Sequence, residues 1–220
     1  MTTIMDKTAQ QVFEKRSSFY NLLSRLYERE VDAPLLEHIL SSSRSADDDC
    51  ILPLAFITQI NSHGAEQEAR ELSAEFAALF IGGKRFRRVF PFESVYTSAD
   101  RLLMQDARDA VAAVYQDAQL NRREDFREPE DHLALELAYM AHLNMQASTA
   151  VSAEPILQSI ELQQSFCRQH LMSWTPEFCS DMKKAARSAF YAWLAEFTGD
   201  FLASEDEALE QLRLQFNCGA

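Results

Sequence analysis

Residues 7–29 read KTAQQVFEKRSSFYNLLSRLYER, and the spacing of their apolar side chains indicates the fold class. Large apolar residues recur at three- and four-residue intervals along most of this stretch, at Val12, Phe13, Tyr20, Leu23, Leu26 and Tyr27. This period places the apolar residues on one face of an α-helix, whereas a half-buried strand would alternate apolar and polar residues. The stretch therefore predicts an amphipathic helix that packs against a core.

The same period continues along the chain and predicts an all-α fold. Eight further helices are predicted, at residues 32–40, 52–61, 65–80, 99–119, 128–146, 155–171, 176–202 and 205–216. Asp32 is predicted to cap the second helix, with Pro34 in its first turn. We expect a single globular domain of about nine helices over residues 1–220. A charged link at 121–127 and a small-residue connector at 148–153 are candidate hinges between two subdomains.

The charge balance favours some partners and disfavours others. The chain has 220 residues, and 34 acidic side chains against 21 Lys and Arg give a net charge of −13. Nucleic-acid binding depends on cationic contacts to phosphate, so no nucleic-acid partner is expected. An acidic surface attracts cationic partners and also keeps a protein soluble.

Cysteine usage and hydropathy predict a cytoplasmic protein. Cys50, Cys167, Cys179 and Cys218 are scattered and form no Cys-x-x-Cys pair, as is typical of free thiols in a reducing compartment. The first 16 residues are polar and charged, without the apolar region of a signal peptide. No apolar run approaches the ~20 residues of a membrane span, so no stable membrane insertion is expected.

Residues 81–98 differ from the helical pattern on both sides. Two glycines and a basic cluster (Lys84, Arg85, Arg87 and Arg88) precede an aromatic segment, VFPFESVY at 89–96. Pro91 and the dense aromatic content predict an extended loop, and functional residues concentrate on such loops. The apolar side chains are expected either to fold over the core or to line a groove for a partner. The basic cluster is interpreted as a solvated tip, and binding of an acidic surface or a nucleotide phosphate stays open.

The segment EPEDHL at 128–133 has a structural and a functional interpretation. Pro129 suits a first helical position, and the acidic residues suit the positive end of a helix dipole. Capping does not explain His132, which would bring another donor to a helix start already rich in donors. His132 and Glu136 share a helix face, but no second histidine follows at i+4, so no metal site is predicted. Acid–base chemistry by Asp131 and His132 is an alternative, although no nucleophile motif is present.

Three segments in this order resemble a known family. EFAALFIG at 75–82, PFESVY at 91–96 and EPEDHL at 128–133 are similar to segments of the TorD/DmsD chaperones, relatives of the NarJ group. His170-Leu171 with Trp174, and a later segment around Phe190-Tyr191, resemble the C-terminal half of that family. The likeness covers residues 19–202.

The resemblance implies an all-helical cytoplasmic chaperone that is not an enzyme and carries no cofactor. Such a protein binds a twin-arginine-targeted molybdopterin oxidoreductase precursor through its leader peptide, its apoenzyme core or both. It assists cofactor insertion and delays export, and the expected client is a trimethylamine N-oxide or dimethyl sulfoxide reductase. The residues carried over as client-binding candidates are Leu79, Phe80, Pro91, Phe92, Ser94, Tyr96, Asp131 and His132.

Arginine's planar fork favours carboxylates, so Glu93, Glu128, Glu130 and Asp131 are predicted to receive the arginine pair of the leader. The aromatic loop is predicted to receive the apolar stretch of the leader. Two other functions stay open: a helical assembly protein that binds no leader, and a helical hydrolase that uses Asp131 and His132. The protein is expected to be a monomer or a homodimer, the latter by exchange of helices across hinge loops.

Overall fold

The computed structural model describes residues 7–45, 52, 54–82, 88–121 and 126–217. Within these ranges regular structure is helical, apart from one isolated β-bridge between Phe92 and His132, and this confirms the all-α prediction. The α-helices are α1 (Lys7–Glu28), α2 (Ala33–Ser45), α3 (Leu54–His63), α4 (Ala65–Phe76), α5 (Glu93–Thr97), α6 (Asp106–Asp117), α7 (Leu133–Thr149), α8 (Ala153–Phe166), α9 (Met172–Ala185) and α10 (Ala189–Asn217). Two π-helical turns, Ala77–Ile81 and Cys167–Leu171, extend α4 and join α8 to α9. The described residues therefore contain nine continuous helices.

The chain divides into two compact units. The first unit comprises Met1–Tyr27, Pro91–Pro176 and Asp200–Ala220, and the second comprises Glu28–Phe90 and Glu177–Gly199. The segments at 121–127 and 148–153 both lie inside the first unit, and a hinge at either of them stays a prediction. No helix in the described part of the chain is long and apolar enough to cross a bilayer.

The first unit has an apolar core beside a buried polar network. Its core cluster joins α1, α7, α8 and α10 through Phe13, Ala147, Ile156, Ile160 and Leu209. In the network, Arg16 donates to Glu205 Oε2 at 2.5 Å and the Tyr20 hydroxyl donates to the same oxygen. Arg16 also donates to Asn144 Oδ1, and Asn144 donates to Gln163 Oε1 at 2.8 Å. Because these polar groups bond to one another, the interior of the unit holds them without unpaired charge.

The second unit packs aromatic side chains around the π-helical turn that follows α4. Phe80 contacts the rings of Phe76 and Tyr191, with centroid distances of 4.8 and 6.3 Å. A π-turn displaces the regular i→i−4 bonds, so carbonyls near its end need other donors. Val89 N donates to Leu79 O and Arg88 Nε donates to Phe80 O, each at 2.9 Å. The segment at 88–89 therefore completes the hydrogen bonding of this turn.

Two predicted helix starts were wrong because contacts distant in sequence position the chain there. The helix predicted at 128–146 begins at Leu133, and the helix predicted at 99–119 begins at Asp106. The predicted loop at 81–98 contains α5. The Asp131 side chain bonds to α5 and not to its own helix, and Gln105 N, just before α6, donates to Ser94 Oγ.

The boundary predicted at Pro176 was also wrong, because this proline lies inside α9. Proline lacks the N–H that would bond to a carbonyl one turn earlier. The chain nevertheless stays helical through Pro176, where the Thr175 hydroxyl also donates to Leu171 O at 2.8 Å. The break falls instead before Ala189, and α10 continues through the boundary predicted at 203–204.

Candidate functional site

Two motifs that are distant in the sequence form one site in the first unit. The segment at 91–93 pairs with the segment at 131–133: Leu133 N donates to Pro91 O at 2.9 Å, and Glu93 N donates to Asp131 O at 3.0 Å. These bonds lie beside the isolated bridge between Phe92 and His132. The pairing brings together seven predicted site residues, namely Pro91, Phe92, Glu93, Ser94, Tyr96, Asp131 and His132.

Asp131 caps a helix other than the one that follows it. Its side chain is fully buried, and its Oδ2 accepts from Ser94 N at 2.8 Å in the first turn of α5. A carboxylate at this position satisfies a free backbone N–H and interacts favourably with the helix dipole. Asp131 was interpreted as an acid at the start of its own helix, and its side chain reaches the start of α5 instead.

His132 is the N-cap of α7 and acts as an acceptor. Its Nδ1 accepts from Ala134 N at 3.1 Å, which requires a neutral imidazole with an unprotonated Nδ1. Burial lowers the pKa of His132 to about 3, so the neutral form is favoured. The expectation that His132 would add a donor to the helix start was therefore wrong. The rings of Phe92 and Phe126 pack edge-on against the imidazole, at 4.9 and 5.3 Å.

A second layer of the site places two carboxyl groups side by side in the interior. Glu93 and Glu136 are both buried, and His170 Nδ1 lies 2.9 Å from Glu93 Oε2. Burial, followed by the charge of Glu93, raises the pKa of Glu136 well above its usual value. A protonated Glu136 can donate to the Glu93 carboxylate, while Trp174 Nε1 donates to Glu136 Oε2 at 3.1 Å. The pair therefore avoids two adjacent buried negative charges.

Polar atoms without partners lie close to this pair. The Tyr115 hydroxyl and Asp131 Oδ1 are buried and accept or donate no hydrogen bond within the described residues. Burial, and then the charges of Glu136, Tyr139, Asp131 and Glu93, raises the pKa of Tyr115 well above its usual value. Buried acceptors without donors are costly, so a cationic donor at this position would gain affinity.

The remaining predicted residues of the first unit are more accessible. Tyr96 is half-buried and its ring stacks on Trp174 with a centroid distance of 5.7 Å. Glu128 is exposed, and Glu130 Oε2 accepts from Arg108 Nε at 2.6 Å. Tyr96 and the acids at 128–130 are therefore the parts of this site that a partner can reach directly.

Leu79 and Phe80 lie in the second unit. Both side chains are buried, and their carbonyls receive the donors from Val89 and Arg88. Three members of the basic cluster, Lys84, Arg85 and Arg87, lie outside the described residues. Arg88 is described, and its guanidinium lies 4.3 Å from the centroid of the Phe90 ring in addition to its bond to Phe80 O.

The prediction of site residues missed the inner layer. Tyr115, Glu136, His170, Ser173 and Trp174 contribute to it, and Ser173 Oγ lies 3.4 Å from Glu93 Oε1. The sequence does carry one signal of this layer: Glu136 is the single charge in the apolar run LALELAYM at 133–140. A lone acid on the buried face of a helix indicates a partner in the interior. Among the described residues, no group of three or more His, Cys, Asp or Glu side chains is arranged to hold a metal ion.

Comparison with known proteins gives one family match and several similar chains. The family model described as nitrate reductase delta subunit matches residues 47–180. Chaperone protein TorD of Shewanella piezotolerans is 28% identical over 92% of this chain and 96% of its own length. The TorD proteins of Aliivibrio salmonicida and Colwellia psychrerythraea are 27% and 26% identical, over 86% and 95% of this chain and 92% and 99% of their own lengths.

The all-α fold and the similarity to TorD proteins indicate a helical chaperone. The chain belongs to the nitrate reductase delta subunit family, within its TorD-type group, as the resemblance implied. The reported relatives are named as chaperones and not as enzymes, in agreement with the prediction that the protein is not an enzyme.

Proposed function

We propose that this protein is a cytoplasmic chaperone for a twin-arginine-targeted molybdopterin oxidoreductase, which binds the leader peptide of the precursor. The proposed client is a trimethylamine N-oxide or dimethyl sulfoxide reductase, held competent for cofactor insertion before export. Membership in the TorD-type group supports the maturation role. The observation that carries leader binding is the joining of the aromatic segment at 91–96 to the acidic segment at 128–132 in one unit.

The chemistry of the site suits the front of such a leader. The exposed Glu128 and the partly buried Glu130 offer carboxylates to an arginine pair at the surface. Asp131 Oδ1 offers a buried acceptor behind them. Because a chaperone has to release its client, the proposed affinity is micromolar, about −8 kcal/mol.

The test is Asp131→Asn with a synthetic twin-arginine leader peptide as the probe. Asn keeps an oxygen that accepts from Ser94 N but removes the charge, so we expect the free energy of unfolding to fall by at most about 1 kcal/mol. Leader affinity, measured by isothermal titration calorimetry, is expected to fall about tenfold or more, as for loss of a charged hydrogen-bond partner. Asp200→Asn changes an exposed acid of the same unit and is expected to leave both quantities unchanged.

Two results would contradict the proposal. If leader affinity falls only in step with the melting temperature, Asp131 stabilises the fold and does not recognise the client. If the apoenzyme is captured equally well after its leader is deleted, the protein is an assembly factor that does not read the leader.

A further inference from the structure

An exposed apolar loop follows α5 in the first unit. Leu102, Leu103 and Met104 are 56%, 37% and 56% exposed, and they are consecutive. Single exposed apolar residues are ordinary, whereas contiguous ones mark interaction sites. We name residues 98–105 the apolar loop.

Hydrogen bonds hold the apolar loop in a defined conformation. Leu102 N donates to Ser98 Oγ at 3.3 Å, and the Gln105 side chain donates to Leu103 O at 2.9 Å. Arg101 and Met104 adopt positive φ angles of 52° and 61°, which side-chain-bearing residues rarely do. Such backbone strain persists only where surrounding contacts enforce it, and it concentrates at binding sites. The backbone that carries the three apolar side chains therefore has a defined conformation before any partner binds.

The apolar loop is connected to the candidate site. Gln105 N donates to Ser94 Oγ at 3.2 Å, and Ser94 N donates to Asp131. The Arg101 guanidinium lies 5.7 Å from the centroid of the Tyr96 ring. The three apolar residues thus lie in the segment that follows Tyr96, the accessible aromatic residue of the site.

Acidic residues flank the three apolar residues of the loop. Asp100 precedes the apolar residues, and Asp106 and Asp109 follow them in the first turn of α6. All three are exposed. An apolar surface bordered by carboxylates complements a segment in which cationic residues adjoin an apolar stretch.

We infer that the apolar loop, through Leu102, Leu103 and Met104, binds the apolar stretch of the twin-arginine leader. This inference rests on the proposed function. It assigns the apolar contact with the leader to the apolar loop and not to the aromatic segment at 91–96. Phe92, which was predicted to receive this stretch, is 4% exposed and packs on His132. The acids at 128–130 receive the arginine pair, and the apolar loop receives the apolar residues that come after the pair in the leader.

The experiment compares two triple variants of the full chain. Leu102→Gln, Leu103→Gln and Met104→Gln together remove the apolar surface of the loop. The control is Met145→Gln, Leu162→Gln and Leu214→Gln, which removes one Met and two Leu of similar exposure (46%, 43% and 50%) from helices of the same unit. Two peptides are titrated, one with an arginine pair before about 12 apolar residues and one in which that stretch is Ser and Gly.

We expect the loop triple to weaken binding of the apolar peptide by at least about tenfold, since two or more large side chains lose their contacts. The control triple is expected to bind like the wild type, and the Ser/Gly peptide is expected not to distinguish the three proteins. Circular dichroism melts verify that both triples fold.

Three results would overturn the inference while leaving the proposed function intact. The first is wild-type affinity of the loop triple, and the second is equal weakening by both triples. The third is a wild-type dimer in sedimentation that the loop triple dissociates, which makes the loop a contact between copies. If the wild type binds neither peptide, the proposed function fails together with the inference.

Discussion

At the scale of single residues, protonation decides what the buried groups of the site do. His132 caps α7 only as a neutral ring, because a protonated Nδ1 would be a donor facing the Ala134 N–H. Glu136, in contrast, is favoured in its protonated form, because it is buried and contacts a second carboxyl group. Both states follow from burial, which disfavours the charged form of either group.

The stability that His132 contributes is therefore predicted to fall as the pH falls below about 6.5, the ordinary pKa of histidine in an unfolded chain, whereas the raised pKa of Glu136 acts in the opposite direction. Folded His132 has a pKa of about 3, so the unfolded chain binds the extra proton between these values. This one group lowers the free energy of unfolding by up to about 1.4 kcal/mol per pH unit in that window. His132→Asn keeps a capping oxygen that does not titrate, so we expect a shallower slope between pH 6.5 and 5 in urea denaturation.

His38→Asn replaces an exposed histidine of α2 and is expected to reproduce the wild-type pH dependence. An unchanged slope in His132→Asn would show that His132 is not responsible for the pH dependence. The smaller side chain also loses contacts with Phe92 and Phe126, so a constant loss of about 1–2 kcal/mol at all pH values is expected.

At the scale of elements, two helices here receive caps from positions distant in the sequence. A five-residue helix such as α5 is unstable alone, because isolated helices shorter than ~12–15 residues are marginal in water. Asp131 caps α5 from 37 residues away, and Glu75 serves the same purpose for α10. Glu75 accepts from the N–H groups of Arg187 and Ser188, just before that helix begins.

We predict that Glu75→Gln lowers the free energy of unfolding by about 1–2 kcal/mol. Gln keeps one acceptor but loses the charge at the positive end of α10 and one of the two oxygens that accept from these N–H groups. Glu71→Gln, an exposed site one turn earlier on α4, is the control, with an expected change below about 0.5 kcal/mol. Equal effects in urea titrations of the two variants would contradict a capping role for Glu75.

In the aromatic segment at 91–96, Phe92 is predicted to contribute mainly to stability and Tyr96 mainly to leader binding. Phe92 is buried against His132, so Phe92→Ala should cost about 3–5 kcal/mol of unfolding free energy. Tyr96 is half-buried over Trp174, so Tyr96→Ala should cost less stability and weaken leader binding by about 1–3 kcal/mol. Unfolding curves and peptide titrations of both variants measure the two effects. A Phe92→Ala variant that is stable but binds the leader weakly would show that Phe92 belongs to the binding surface.

At the scale of the whole molecule, the net charge of −13 attracts any cationic partner. Exposed charges are screened within about 8–10 Å at physiological ionic strength, whereas apolar contacts are not weakened by salt in this way. Leader affinity is therefore predicted to fall as salt rises from low ionic strength and to level off at the contribution of the apolar contact. A leader with both arginines replaced by Gln should bind more weakly and show little salt dependence. Leader affinity that stays constant or rises with salt would show that electrostatic attraction does not contribute to recognition.

Local patterns in the sequence determined the fold class and several elements. Apolar residues repeat with the helical period wherever one helix face is buried, so α1, α3, and α4 with its π-turn were predicted within a few residues. The cap at Asp32 was also local, and Leu35 N donates to its Oδ1 at 2.9 Å. The motifs at 75–82, 91–96 and 128–133 identified the family, which the comparisons confirmed.

Only the tertiary structure decided where α7 begins and that α5 exists. It also brought Glu136 and His170 to Glu93 and Trp174 to Glu136, and it buried Phe92 while exposing Leu102 and Met104. The physical reason is the same in each case. Helical periodicity depends on neighbours three or four residues away, whereas a cap, a replaced hydrogen bond or a buried carboxyl pair depends on partners that the fold brings together.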